Sequence, residues 1–186
     1  MGKRKYSRSF ELALSAISCA VAVIFLLLGF WSDFLLATGY LIGVIALMVP
    51  LSKQFYRGGF LAYVGTCILT IILGAAAKFW DLVPFIMFFG IHPLVNALQV
   101  RFNINKWIAF AVKAVWFDCT LIAAYFLIFG GNLYGALLPQ AVYDFLNKGY
   151  IYLFIFTLGT AFFLAYDYLV FKFQILVNRL VYRIRK

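Results

Sequence analysis

Five polar side chains, His92, Asn96, Lys113, Asp118 and Asp167, stand inside long apolar runs of this sequence. The 186 residues hold one histidine and only six acids, and this group includes that histidine and two of the acids. An ionisable group surrounded by hydrocarbon is costly, which makes each of the five a functional candidate. His92 and Asp118 suit a proton relay or the polar lining of a ligand cavity, and Asn96 lies at i+4 from His92 on the same helical face. The competing role is structural: Lys113 with Asp167, and His92 with Asp118, pair so that neither charge faces lipid and the helices stay in register.

Catalysis is not expected, and neither is a cofactor. One histidine excludes the HExxH zinc site, and no GxSxG context surrounds any serine. The run Phe129-Gly130-Gly131-Asn132 lacks the Lys-Ser or Lys-Thr of a phosphate loop. Cys19, Cys67 and Cys119 sit in apolar stretches without CxxC spacing, and read as small buried thiols packed between helices rather than disulfides or metal ligands.

The elements that position these residues follow from composition. The chain is 66% hydrophobic and 12% charged, about half the roughly 25% charge of an average soluble domain. Such a small chain cannot make a soluble surface from these residues, so most of it must face lipid. A bilayer core takes about 20 apolar residues per helix. The runs predict an all-α polytopic membrane protein, a single integral membrane domain over 1–186 with six transmembrane helices, at about 9–31, 34–51, 59–77, 83–100, 107–129 and 150–176. No run alternates like a barrel strand, and the first is too long for the apolar core of a signal peptide.

Charge gives the orientation. Lys3, Arg4, Lys5 and Arg8, then Lys53 and Arg57, Arg101 and Lys106, and finally Lys172, Arg179, Arg183, Arg185 and Lys186 fall on one side of six spans, thirteen of the 16 basic residues. The opposite side holds Lys78 and Lys148 beside Asp33, Asp81 and Asp144, and Lys113 lies within a span. The positive-inside rule then places both termini in the cytoplasm. The net charge of +10 is mostly this topology signal rather than a nucleic-acid surface. The basic tail 177–186 is suited to lie against anionic headgroups.

The 20 residues from Gly130 to Gly149 form the one long outer loop. Its helically spaced Leu137, Leu138, Val142, Phe145 and Leu146 predict an interfacial helix, either a partial lid or a simple anchor. Aromatic residues gather at the same outer ends. They suit an interface belt, or the walls of an outward pocket to which Trp31, Asp33, Trp80 and Asp81 bring the polar groups. Helix one carries a smooth step at Ala16 and Ala20 flanked by Ser15 and Cys19, and helix three a stripe of Gly65, Cys67, Thr70 and Gly74. Stripes of this kind let another helix approach closely.

The six spans, the cytoplasmic termini and the opening of helix one, Arg8-Ser9-Phe10-Glu11-Leu12-Ala13-Leu14-Ser15-Ala16-Ile17-Ser18-Cys19-Ala20, resemble the substrate-binding S components of energy-coupling-factor transporters. The resemblance covers the whole chain in topology and helix one in motif. It implies a plasma-membrane subunit that captures a vitamin or other micronutrient from outside and docks through Ala16 and Ala20 on a transmembrane coupling subunit. Toppling in the membrane, driven by a separate ATPase pair, would then release the cargo inside. The alternative is an accessory or scaffold membrane protein that packs against a partner or lipid and carries no cargo.

Overall fold

The computed structural model describes residues 7–75, 78–129 and 150–183; the outer segment 130–149, with its expected interfacial helix, lies outside them. Among the described residues there is helix and no strand, and six helices are long and apolar enough to cross a membrane. The chain divides into two compact units, Met1–Asn103 with Val170–Lys186, and Ile104–Leu169.

The first unit opens with α1 (Arg8–Trp31), whose N-cap Ser7 accepts a bond from the Phe10 N–H through its hydroxyl, at 3.2 Å. A single extended residue, Ser32, separates α1 from α2 (Asp33–Ser52). The two helices touch backbone to backbone at Gly29 and Gly39. A Cβ on Gly39 would lie 2.7 Å from the Phe25 carbonyl oxygen and 3.1 Å from Gly29 Cα. Neither the Ala16–Ala20 step nor the stripe in helix three includes this crossing. At its other end α2 closes with the main-chain N–H of Gln54 on Leu51 O and that of Phe55 on Pro50 O. Gln54 takes the left-handed conformation (φ 63°) that such a cap requires.

α3 (Tyr56–Thr70) continues as a π-helical turn over Ile71–Ala75. It starts three residues before the apolar run at 59 because Tyr56, Arg57 and Gly58 wind into the first turn. Gly58 fits there by lying against Ser15 and Glu11 of α1.

The fourth span is broken, where the sequence predicts one helix over 83–100. α4 (Phe79–Pro84) gives way to a π-helical segment, Phe85–Phe89. Gly90 and Ile91 follow as turn residues, and α5 (His92–Arg101) restarts the helix. Pro93 explains the restart: it has no N–H to give and takes the first-turn position where none is needed.

The last helix, α7 (Ile151–Arg183), runs seven residues past the expected end at 176. The segment 177–183 is helical because Leu180 and Val181 extend the apolar pattern and no proline or glycine stops it. The Lys53 ammonium donates to the Val181 carbonyl at 3.3 Å, a cation on the carbonyl end of a helix.

The second unit pairs α6 (Lys106–Phe129) with the first part of α7. Contacts climb α6 as they descend α7: Lys113 meets Asp167, Phe117 meets Phe163, and Leu121 meets Gly159. The two segments are therefore antiparallel.

Replacing Gly39 by alanine should separate α1 from α2 at their closest point and cost about 1–3 kcal/mol. Thermal unfolding of the detergent-solubilised protein measures this, and an unchanged midpoint would contradict the backbone contact.

Candidate functional site

The break in the fourth span leaves main-chain carbonyls without their helical donors. At the end of α4 the Phe85 N–H turns back to Leu82 O, leaving Asp81 O without that donor. In the π segment the Gly90 N–H reaches Phe85 O at 2.8 Å, bypassing Ile86 O. Two phenols from neighbouring helices fill these places. Tyr40 of α2 donates its hydroxyl to Asp81 O, and Tyr63 of α3 donates to Ile86 O at 2.6 Å. Hydrocarbon offers no donors, so each carbonyl gains a bond that lipid could not supply.

The Tyr40 ring packs on Phe85 and Phe89, with centroids 5.8 and 5.3 Å apart. A Cβ on Gly90 would come within 2.8 Å of the Tyr63 ring, so glycine is what lets that ring reach the break.

His92 lies just beyond this segment and is 0% exposed. Its ring rests on Phe88 with centroids 4.9 Å apart, tilted by 34°. Asn96, one turn on, is half-buried. The break thus sets a buried imidazole at the first position of a helix inside the span, backed by an aromatic ring.

In the second unit the Lys113 ammonium stands 2.7 Å from Asp167 Oδ1. Lys113 is buried and Asp167 partly so. Next to this pair, Phe163 lies 5.4 Å from Phe110 and 5.7 Å from Phe117 by centroid. Asp118 is 7% exposed; its Oδ2 accepts from the Thr160 hydroxyl at 3.3 Å. Asp118 Oδ1 is buried without a hydrogen-bond partner among the described residues, and it lies beside Gly159. His92 belongs to the first unit and Asp118 to the second.

The outer aromatic candidates are more open. Trp31 is 89% exposed and makes no ring contact among the described residues, the setting of an interface aromatic. Trp80 is half exposed against Phe79, at 5.6 Å between centroids. Asp81 serves through its main-chain carbonyl, and Asp33 opens α2.

Ala16 and Ala20 are exposed on α1, together with Ala13, Ile17 and Ile24. A different face of the helix, with Ser15, Ser18, Cys19, Ala22 and Leu26, is buried in the first unit. Among the thiols, Cys19 and Cys67 are buried as expected, but Cys119 is exposed because it faces outward from α6.

Sequence reasoning missed a cavity of about 620 Å³ at the end of the first unit away from Trp31, bordered by Glu11, Arg57 and Arg101 among others. The signal was present in Arg57 and Arg101, which the charge pattern used only for orientation. It also missed the two tyrosines, because a phenol bonded to a distant carbonyl leaves no local pattern. Comparison with family models, with curated proteins and with solved structures finds no match to this chain.

Breaking the Lys113–Asp167 pair from one side should be costly. Lys113→Met is expected to destabilise by about 3–5 kcal/mol, while Lys113→Met with Asp167→Leu recovers most of that loss. The unfolding midpoints of the two variants in one detergent measure the difference.

Proposed function

We propose that the chain is the substrate-binding membrane subunit of a micronutrient uptake transporter of the energy-coupling-factor kind. The observation that carries this reading is the break in the fourth span. In many secondary transporters ligand sites are built where membrane helices are interrupted near mid-depth, because an interrupted helix offers main-chain groups and polar side chains that a continuous one keeps to itself. Here the interruption is braced by Tyr40 and Tyr63 and followed at once by the buried His92.

In this reading His92 and Asn96 contact the cargo in the plasma membrane. Trp31, Asp33, Trp80 and Asp81 mark its outer approach, and both termini are cytoplasmic by the charge pattern. The exposed Ala16–Ala20 step supports docking on a coupling subunit, since it leaves a smooth helix face that the first unit does not use. Motion would then come from a separate ATPase pair.

The same exposed step also favours a second reading, an accessory protein that binds a partner helix and carries no cargo. Mass spectrometry of the gently extracted protein separates the two. The transport reading expects a bound small molecule, ATPase subunits in the same pull-down, and about tenfold weaker ligand retention in His92→Ala. Ala16→Leu with Ala20→Leu should release the coupling subunit. A preparation with neither ligand nor ATPase, whose associations survive the double substitution, would refute transport.

A further inference from the structure

The cavity at the starts of α1 and α3 and the ends of α2 and α5 has a chemistry of its own. Its walls bring together two guanidinium groups, Arg57 from the first turn of α3 and Arg101 from the last turn of α5. Among the described residues Arg57 has no hydrogen-bond or carboxylate partner. Arg101 is held by rings, its guanidinium carbon 4.7 Å above the Tyr56 ring and 5.6 Å from that of Phe102. Stacking of this kind fixes the plane of the guanidinium while leaving its N–H edge available.

One acid, Glu11, also borders the cavity, and its Oε1 is engaged by the Gly58 main-chain N–H at 3.1 Å. Glu11 thereby occupies one donor of the α3 N-terminus, where the N-cap Phe55 provides no side-chain cap. Two arginines against one carboxylate leave a single positive charge facing the cavity. Gln54 adds an amide to the wall, and Phe55 and Val100 add apolar surface. All of these positions lie at or just beyond the ends of membrane-capable helices, Arg8–Trp31, Phe34–Ser52, Tyr56–Gly74 and Phe79–Arg101.

We propose that this cavity binds a phosphodiester anion at the membrane face, with Arg57 and Arg101 as the paired donors. Guanidinium groups match phosphate oxygens in charge and in fork geometry. One net positive charge suits a monoanion better than a dianion, and the apolar part of the wall suits the esterified carbon of a glycerophospholipid. A headgroup seated there would link the α2–α3 turn to the end of α5 on the face that the charge pattern makes basic.

Native mass spectrometry of the full chain in detergent tests this, with phosphatidylglycerol, phosphatidylcholine and inorganic phosphate as separate probes. The wild type should retain one phosphatidylglycerol in preference to phosphatidylcholine. Arg57→Gln with Arg101→Gln should weaken retention about 30-fold, and either change alone about fivefold; the single variants serve if the double variant does not fold. Arg179→Gln, a basic residue that does not line the cavity, should leave retention unchanged. Resistance of the bound lipid to inorganic phosphate would support the phosphodiester, and displacement by it would overturn the proposal in favour of a free anion. Equal retention by wild type and folded variants, an equal loss in Arg179→Gln, or no retention of phosphatidylglycerol would also overturn it.

Discussion

In a membrane every main-chain carbonyl must find its donor inside the protein, and the first unit is arranged around two that its fourth span cannot satisfy alone. Tyr40 and Tyr63 supply the missing bonds to Asp81 and Ile86. Each phenol must arrive at the right height and rotation, which constrains α2 and α3 in turn. The backbone contact of Gly29 with Gly39 seats α2 against α1. Absence of a side chain at Gly90 leaves room for the Tyr63 ring. An interrupted span is thus stable here because two neighbouring helices, α2 and α3, are placed to complete it.

The second unit meets the same constraint with side chains instead of main chain. Lys113 and Asp167 cancel one another at 2.7 Å between two antiparallel helices, which also pack Phe163 against Phe110 and Phe117. Asp118 is treated differently. One oxygen has a hydroxyl partner and the other is buried with none among the described residues. A satisfied ion pair holds helices together, whereas a carboxylate with spare accepting capacity can interact with something that arrives. The pair and the lone carboxylate thus differ, within one unit, in how much accepting capacity each keeps.

Small residues also divide by role along α1. Ser15, Ser18, Cys19 and Ala22 are consumed in packing, while Ala16 and Ala20 remain exposed on another face. The basic residues divide similarly. Lys53 caps a carbonyl of the last helix, and Arg57 and Arg101 border the cavity. Basic residues at helix ends therefore contribute to helix capping and to a concave basic surface.

Hydrophobic runs and their lengths determined six spans from sequence alone, because the bilayer thickness fixes how many apolar residues a helix needs. The same runs left Lys113, Asp118 and Asp167 visible as exceptions. The fourth span read as one unbroken helix, because a π segment from Phe85 and a restart at His92 go with donors that other helices bring. The Gly29–Gly39 crossing was likewise silent, since a glycine in an apolar run gives no sign of which backbone it will meet. For the cavity, Arg57 and Arg101 are 44 positions apart in the chain, and only folding places them around one space. Local composition decides which residues enter the membrane; tertiary packing decides which of their polar groups are satisfied, because those partners lie on other helices.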